Sequence, residues 1–344
     1  MAIRVLIVDD SLFMRAAVRR ILEKDGRFEV VGEAKDGREA VDKVVALHPD
    51  VCTMDFNMPV LDGAQAVREI MLRRPTPVVM LSAYTREGAR ETFEALAAGA
   101  VDVVAKPAGE ISADLSKIGP QLVERLVGAV GARPMAIAPA PARPTTRQVS
   151  GFRATIGSGG LPRVAIVAVS TGGPAALSVL LPALPAETSL ALVIVQHLPA
   201  HFTGPLAERL DQICAIRVRE AASGDLPASG LALIAPGDRH LEFATDGTVR
   251  IVDGPEVNGV RPAADVTMRS GAAVFGKRAV GVVMTGMGKD GAAGIRAIKA
   301  GGGEVLAQDQ ASSVIYGMPR AAVETGCVDR VVPLVMLADA LRGH

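Results

Sequence analysis

Short apolar runs alternate with amphipathic stretches along most of the chain. In residues 1–128 five such runs are rich in Val, Ile and Leu, which is typical of buried strands, and the segments between them repeat their apolar residues at the helical period. Strict alternation of strand and helix predicts a parallel sheet with helices on both faces. The five runs are RVLIVD, FEVVGEA, DVCTMDF, PVVMLSA and VDVVAKP.

The same alternation returns in residues 162–344, where six runs predict strands and five segments near 174–181, 203–211, 266–275, 290–300 and 318–325 predict helices. One stretch, HLEFATDGTVRIV, breaks the rhythm, because an Asp-Gly pair between two such runs predicts a β-hairpin. We therefore predict a second doubly wound, Rossmann-like α/β domain with an inserted hairpin. Its six strand runs are PRVAIVAVS, LALVIVQH, AIRVREA, GLALIAP, AVGVVMTG and GEVLAQD.

The composition changes between the two patterns. Residues 129–161 are rich in Ala, Pro and Gly, contain four arginines and lack acidic residues, which is typical of a flexible linker. A flexible chain of roughly 30 residues has a reach of roughly 30 Å, enough for one domain to fold back over the other. We predict domains at 1–128 and 162–344, joined by this linker.

The overall composition excludes some classes of protein. With 37 basic and 37 acidic residues among 344, the chain has no net charge, so nothing favours binding to nucleic acid or to an anionic membrane. No apolar run reaches membrane-spanning length, and the N-terminus does not resemble a signal peptide. Three widely spaced cysteines without a CxxC pair are typical of reduced thiols. We expect a cytoplasmic protein with no nucleic-acid partner and no membrane insertion.

Polar residues end four of the five predicted strands in the first domain. Asp9 and Asp10 follow the first strand, Asp55 ends the third, and Ser82 and Lys106 end the fourth and fifth. Because doubly wound sheets bind ligands at the carboxyl ends of their strands, we expect these residues to share one pocket. Three carboxylates repel one another unless a hard cation such as Mg²⁺ lies between them. The alternative role is structural, since strand-end Asp and Ser are common turn and cap residues.

Three residues of a nucleophilic triad end strands of the second domain. Ser170 follows the run PRVAIVAV, His197 directly follows LALVIVQ, and Asp290 lies just beyond AVGVVMTG. A serine becomes nucleophilic when an imidazole takes its proton and a carboxylate orients that imidazole. Each residue taken alone is more often structural, but their coincidence at strand ends of one sheet favours catalysis. His201 is the alternative base, and we expect His240 to be structural.

Glycines surround both the serine and the aspartate. Gly172 and Gly173 allow a tight turn into a helix, whose N-terminal N–H groups favour negative charge on an oxyanion. In TGMGKDG, Gly286 and Gly288 free the backbone around Met287, whose N–H is the candidate to complete an oxyanion hole. Loops of this kind contribute to catalysis without a reactive side chain.

Two familiar sites do not fit the stretch AVSTGGP. The nucleophile elbow of α/β-hydrolases needs G-x-S-x-G and the chain order Ser, Asp, His, whereas Ala168 takes the first position here and the order is Ser, His, Asp. The stretch fits a phosphate-binding loop equally poorly, because no G-K-[ST] follows it and it does not form G-x-G-x-x-G. The triad interpretation of Ser170 remains.

The motifs IVDDS, TMDFNMPVLDG, MLSA and AKP make residues 1–128 resemble the receiver domain of two-component response regulators, which has a flavodoxin-like fold. The resemblance implies that Asp55 accepts a phosphoryl group from a histidine kinase. It also implies that Asp9, Asp10 and Asp55 hold Mg²⁺. Phosphoryl sensing is implied for Ser82 and Lys106.

The stretches VSTGGP, VQHLP, LAERL, GPEVNGVRPAADV and TGMGKDGAAG resemble the catalytic domain of the chemotaxis protein-glutamate methylesterase/glutaminase family, over about residues 160–340. The resemblance implies that Ser170 is the nucleophile, His197 the base and Asp290 the orienting carboxylate. Support of the oxyanion is implied for Met287, Thr171 and Gly172.

A few positions depart from these families or lack an assigned role. Receivers usually carry Phe or Tyr three residues before the lysine, where this chain has Val103, and the esterases often have Asn where it has Lys289. Asn258, Arg261 and Asp265 lie in a family-like loop and helix start. There they either shape the site or form a structural Arg–Asp pair.

Together the two resemblances imply a phosphorylation-activated serine esterase of chemotaxis adaptation. The implied substrates are glutamate γ-methyl esters on chemoreceptors, which release methanol, and selected receptor glutamines, which are deamidated. Ester hydrolysis is expected to need no cofactor, and Mg²⁺ belongs to the receiver. The implied partners are methylated chemoreceptors and the chemotaxis histidine kinase, and the unphosphorylated receiver is expected to cover the esterase site.

Two alternatives share the first domain. A transcriptional regulator would carry a basic patch or a helix-turn-helix pattern in its second half, and this chain has neither. A non-catalytic docking module would have no need of Ser170, His197 and Asp290 together. The triad therefore favours the enzyme over both alternatives.

Overall fold

The computed structural model describes residues 2–83, 85–106, 115–132 and 162–342. The chain divides into two compact units, residues 1–139 and 140–344. Most of the predicted linker, residues 133–161, lies outside the described residues. The domain limits drawn from the sequence therefore stay predictions.

The first unit is a parallel sheet with the strand order β2-β1-β3-β4-β5, which confirms the predicted flavodoxin-like fold. Helices α1 and α5 contact one another, as do α2 with α3 and α3 with α4, which forms two helical layers. Strand β3 is buried at every position, because a parallel sheet covered on both faces exposes neither. The elements are β1 (Ile3–Val8), α1 (Leu12–Asp25), β2 (Phe28–Ala34), α2 (Gly37–Leu47), β3 (Val51–Asp55), α3 (Gly63–Arg73), β4 (Val78–Ala83), α4 (Arg86–Ala98), β5 (Asp102–Lys106) and α5 (Leu115–Ala129).

The second unit is a seven-stranded sheet with the order β14-β13-β12-β6-β7-β9-β8, in which every neighbouring pair is parallel. The predicted hairpin is confirmed as an antiparallel pair, β10 with β11, outside this sheet. The elements are β6 (Arg163–Val169), α6 (Gly173–Leu180), β7 (Leu190–Gln196), α7 (Ala200–Ile213), β8 (Arg217–Glu220), β9 (Leu231–Ile234), β10 (His240–Phe243), β11 (Val249–Val252), α8 (Ala264–Phe275), β12 (Ala279–Val283), α9 (Ala292–Ala300), β13 (Glu304–Gln308), α10 (Met318–Glu324), β14 (Arg330–Val332) and α11 (Leu337–Arg342). Single 3₁₀ turns lie at Leu181–Ala183, Gly276–Arg278 and Leu334–Met336.

The topology brings three strand ends of the second unit together. Strand β6 is the first strand of the second unit along the chain, yet it lies in the centre of the sheet, between β12 and β7. The chain runs outward from β6 in one direction and later returns to build β12, β13 and β14 on the other side. Such a reversal creates a crevice at the carboxyl ends of the central strands, where α/β proteins bind ligands.

Helix α8 lies unusually close to this sheet. A Cβ at Gly271 would lie 2.3 Å from Cδ1 of Ile166 on β6, so a larger residue there would require the Ile166 side chain to move. The close approach brings the N-terminus of α8 near the carboxyl end of the sheet.

Two short elements at the end of the chain have no counterpart in the predicted pattern. Strand β14 has three residues and α11 has six. Both are too short to display a period of 2 or 3.6 residues. Helix α7 begins at Ala200, three residues before the predicted segment. Every helix in the described part of the chain is too short or too polar to cross a lipid bilayer.

Candidate active site

Ser170 and His197 follow adjacent strands of the central sheet. Val169 and Gln196, the last residues of β6 and β7, are paired in register, so the next residue on each strand is Ser170 and His197. The His197 N–H donates to the Val169 carbonyl at 3.2 Å, and both side chains are buried. The candidate nucleophile and base are therefore neighbours at the crevice.

His197 is bonded to Asp290, which lies beyond β12 on the other side of β6. Its Nε2 is 2.9 Å from Oδ2 of Asp290, whose side chain is 2% exposed. Because a carboxylate only accepts hydrogen bonds, Nε2 carries a proton, and in a neutral imidazole this leaves the lone pair on Nδ1. A neutral imidazole in this tautomer is ready to accept a proton at Nδ1.

Asp290 is also held by the first turn of α8. The Ala264 N–H donates to Oδ2 at 2.6 Å and the Asp265 N–H to Oδ1 at 3.2 Å. The residue before this helix, Ala263, has no side chain that could cap it, so Asp290 serves as the cap. Burial raises the pKa of the Asp290 carboxyl, but the bonds from His197, Ala264 and Asp265 outweigh it and leave the pKa below its usual range.

The turn after Ser170 requires its glycines. Gly172 has a φ of +76°, and a Cβ there would lie 2.6 Å from Cβ of Val314. The Gly173 N–H donates to the Ser170 carbonyl at 2.7 Å, and Nε2 of Gln196 donates to the same oxygen at 3.0 Å. The expectation that Gly173 offers its N–H to an oxyanion is therefore wrong, because this N–H closes the turn.

The loop after β12 fixes the direction of one backbone N–H beside Ser170. The Gly286 carbonyl accepts from the Gly317 N–H at 3.1 Å and from the Met318 N–H at 2.8 Å. In a trans peptide the N–H points opposite to the carbonyl, so the Met287 N–H points away from these two donors. Among the described residues this N–H has no acceptor. A Cβ at Gly286 would lie 2.7 Å from Cβ of Ser170, which shows how close this loop is to the serine.

The first unit brings its carboxylates together at the ends of β1 and β3. Oxygens of Asp9, Asp10 and Asp55 all lie within 4.8 Å of one another. Nζ of Lys106 is 2.8 Å from Oδ2 of Asp9 and 2.8 Å from Oδ1 of Asp55. Burial raises the pKa of Asp55, although the ammonium group of Lys106 acts to lower it. At Lys106 burial acts to lower the pKa, but the carboxylates of Asp55 and Asp9 outweigh it, so the pKa of the ammonium is raised. Three clustered carboxylates are the oxygen donors that Mg²⁺ prefers, so these residues fit that ion.

The two oxygens of Asp55 have different surroundings. Oδ1 accepts from the Phe56 N–H at 2.8 Å and from Lys106, whereas Oδ2 accepts no hydrogen bond among the described residues. The Ser82 hydroxyl donates to the Gly88 carbonyl of α4 at 2.8 Å, and Val103 is buried in β5. In this structure Lys106 therefore contacts the carboxylates while Ser82 is engaged by α4.

Known families match both units. The family model described as the CheB methylesterase matches residues 165–341, and the response regulator receiver domain matches residues 5–114. The protein-glutamate methylesterase/protein-glutamine glutaminase of Symbiobacterium thermophilum is 46% identical to this chain, over 98% of the chain and 96% of that protein. The chain belongs to the CheB methylesterase family. The resemblance derived from the sequence motifs is thereby confirmed.

A further relative of the CheB methylesterase family and a solved structure show the same likeness. A protein of the same description from Pyrococcus abyssi is 43% identical over 98% of this chain and 92% of its own length. The crystal structure of the Thermotoga maritima CheB methylesterase catalytic domain is 38% identical, with a TM-score of 0.51. It covers 53% of this chain and 97% of that domain.

The sequence reasoning missed Thr285 in this member of the CheB methylesterase family. Its buried hydroxyl donates to the Thr171 carbonyl at 3.0 Å and accepts from the Ile315 N–H at 3.0 Å, while its own carbonyl accepts from the Ser170 N–H at 3.0 Å. One side chain thus ties together the serine turn, the Met287 loop and the segment before α10. A threonine that ends a buried apolar run, directly before a glycine, was the available signal.

We expect Thr285→Val to lower kcat about tenfold and to lower the free energy of unfolding by about 1–3 kcal/mol, because two buried backbone groups lose their partner. Steady-state kinetics and denaturant unfolding measure the two effects. Thr188→Val is the matched control, since the Thr188 hydroxyl bonds to the Leu190 N–H at the opposite end of β7. An unchanged kcat for Thr285→Val would contradict the bracing role.

In the loop and helix start that sequence motifs left without a role, Arg261 and Asp265 do not pair with each other, and the cation next to Asp265 is Arg269, whose Nη2 is 3.8 Å from Oδ2 of Asp265. Arg261 donates to the Gly254 carbonyl at 2.6 Å, whereas Asp265 accepts from Asn258 and from the Gly294 N–H. The alternative of a structural pair between Arg261 and Asp265 is therefore wrong. Lys289, beside Asp290, is exposed.

Proposed function

We propose that this chain hydrolyses glutamate γ-methyl esters on the cytoplasmic helices of chemoreceptors, releases methanol, and deamidates selected receptor glutamines. The observation that supports it most is the buried His197–Asp290 hydrogen bond next to Ser170 at the crevice of the sheet. Relatives that match 98% of the chain are named for both activities. We further propose that a chemotaxis histidine kinase controls the enzyme through Asp55.

The acylation step uses the three triad residues in turn. The Ser170 oxygen attacks the ester carbonyl carbon, and its proton passes to Nδ1 of His197. Asp290 stabilises the resulting imidazolium through Nε2–H. The carbonyl oxygen becomes an oxyanion beside the Met287 N–H, a donor of the kind that typically contributes about 10²–10³ in rate.

Collapse of this intermediate breaks the bond to the methoxy group, and His197 returns its proton so that methanol leaves. Water then attacks the acyl-enzyme with His197 again as the base, which releases the glutamate side chain and restores Ser170. A glutamine substrate follows the same course and releases ammonia in place of methanol. None of these steps needs a cofactor.

The receiver unit supplies the control. Oδ2 of Asp55 is the oxygen proposed to attack the phosphoryl group, because Oδ1 is already bonded to Phe56 and Lys106. Asp9, Asp10 and Asp55 would hold Mg²⁺, which neutralises charge on the phosphoryl oxygens when bound. Lys106 holds the acidic cluster together, and Ser82 is proposed to leave the Gly88 carbonyl and donate to the phosphoryl group.

Methanol release from methylated receptors in membranes, with and without a small phosphodonor, tests reaction, substrate and control in one assay. We expect release in both conditions and a faster rate with the phosphodonor and Mg²⁺. No release from receptors that are known to be methylated would refute the proposed activity.

We expect Asp55→Asn to abolish the stimulation by phosphodonor, because the amide cannot form an acyl phosphate. The measured quantity is the ratio of methanol release with and without phosphodonor, which should fall to about one. Asp42→Asn is the matched control, since Asp42 is an exposed carboxylate on α2. Stimulation of Asp55→Asn equal to that of the parent would place phosphorylation elsewhere.

A further inference from the structure

A loop of nine residues is fastened at both ends to one buried histidine. Nε2 of His240 bonds to the Pro255 carbonyl at 2.9 Å, and its Nδ1 accepts from the Ala263 N–H at 3.2 Å. The imidazole is therefore neutral, with a proton on Nε2. We name residues 255–263 the His240 loop. It ends where α8 begins, next to the N–H groups that hold Asp290.

The middle of the His240 loop is a two-residue turn. Val257 and Val260 exchange both backbone hydrogen bonds, at 3.1 and 3.2 Å, and Asn258 and Gly259 between them have φ values of +57° and +75°. Positive φ at both central residues defines a type I′ turn, for which Asn-Gly is the favoured pair. The backbone alone therefore accounts for Asn or Gly at position 258.

The Asn258 side chain makes contacts that the turn does not need. Its Nδ2 donates to Oδ1 of Asp290 at 3.1 Å and to Oδ2 of Asp265 at 2.9 Å. Both carboxylates are nearly inaccessible, with 2% and 3% exposure. A single amide thus lies between two buried like charges and gives one N–H to each.

Asp290 uses all of its acceptor capacity in this arrangement. Oδ2 accepts from His197 and Ala264, and Oδ1 accepts from Asp265 and Asn258. A carboxylate has about four lone-pair sites, so each oxygen is saturated. Without the amide, Oδ1 would keep only the 3.2 Å bond from the Asp265 N–H. The carboxylate could then rotate and weaken its bond to Nε2 of His197.

We infer that Asn258 is a positioning residue for the triad, which acts by fixing the carboxylate of Asp290 against His197. The inference rests on the proposed function, in which Asp290 orients the catalytic imidazole. It assigns the His240 loop a role in the reaction, since the loop sets the position of the amide. The glycine-compatible turn offers a direct way to separate this role from a role in folding.

The test compares Asn258→Gly with Asn258→Asp in the full chain. Glycine suits positive φ at least as well as asparagine, so the first variant keeps the turn and removes only the amide. Asp also tolerates this conformation but replaces donors by a third negative charge. We expect kcat for methanol release to fall about tenfold in Asn258→Gly and about a hundredfold in Asn258→Asp, with KM for the receptor unchanged.

A purely structural role for Asn258 predicts different kcat values for the variants. If the residue served only the turn, Asn258→Gly would retain the parent kcat, and this result would overturn the inference. Loss of the folded state in Asn258→Gly, seen by circular dichroism, would overturn it as well, because the amide would then be needed for folding. A rise in KM with unchanged kcat would point to substrate contact and would also count against it.

Proton NMR gives a readout that does not depend on the substrate. The Nε2–H of His197, assigned by its absence in His197→Gln, should resonate downfield in the parent, as a proton in a charge-assisted bond to a carboxylate does. We expect this signal to move upfield or broaden in Asn258→Gly. If the parent releases no methanol but the signal responds, the proposed substrate is wrong and the positioning role stands. An unchanged signal would refute the positioning role whatever the activity.

Discussion

Replacing Ser170 by alanine is expected to abolish methanol release, with kcat falling by about 10⁶. The loss is this large because the covalent route through an acyl-enzyme disappears, while His197 and the Met287 N–H have no bound nucleophile left to assist. Methanol release from methylated receptors measures the effect. Transfer of a phosphoryl group to Asp55 should remain intact, since that carboxylate belongs to the other unit.

Ser178→Ala is the matched control for this experiment. Ser178 lies on α6, the helix that follows the nucleophile, and its hydroxyl donates to the Pro174 carbonyl within the helix at 2.8 Å. We expect this variant to keep the parent kcat. Residual activity of Ser170→Ala above a hundredth of the parent rate would mean that another group attacks the ester.

The sequence was sufficient for the central strands of both sheets because those strands are buried on two faces. Continuous apolar runs such as LALVIVQ predict buried strands, and the helices that alternate with them predict a parallel sheet. Polar residues that end those runs, such as Ser170 and His197, then fall at one edge by topology alone. That is why Ser170 and His197 could be predicted to lie close together without coordinates.

Contacts between distant segments could not be predicted from these sequence patterns. Asn258 and Asp290 are 32 residues apart, and no period in the sequence connects a turn residue to a strand end. An Asn-Gly pair is typical of a tight turn, but a turn alone does not reveal where the side chain points. The prediction for the Gly173 N–H was wrong for a local reason, because this N–H closes the turn after Ser170 and is not available to an oxyanion.

Helices of the esterase unit show how the fold and the site depend on one another. Five of them, α6, α7, α8, α9 and α10, begin without a side-chain cap at the preceding residue. The first turn of α8 bonds instead to Asp290, and the Gly294 N–H in the first turn of α9 bonds to Asp265. Two of these five helix starts thus have a buried carboxylate as their cap, which lowers the cost of burying those charges.

Replacing Asp290 by asparagine is expected to lower kcat by about 10⁴. An amide nitrogen at the position of Oδ2 would face the donors of His197 and Ala264, and one at the position of Oδ1 would face the donors of Asp265 and Asn258, so a donor meets donors in either orientation. With an N–H facing Nε2, the imidazole takes the other tautomer and loses its lone pair on the Ser170 side. KM should change little, because Asp290 is buried behind His197.

The same substitution should change how stability depends on pH. The pKa of Asp290 is lower in the folded chain than its ordinary value of 3.8, so its ionisation stabilises the fold above that pH and this contribution is lost as the pH falls through the folded-state pKa. Denaturant unfolding of the esterase unit should therefore show Asp290→Asn to be less stable than the parent at pH 7, with the gap narrowing in acid. Asp253→Asn, at an exposed carboxylate beyond β11, is the control and should match the parent in both assays. A constant gap from pH 7 to about pH 2 would show that the charge of Asp290 contributes nothing to its role as the cap of α8.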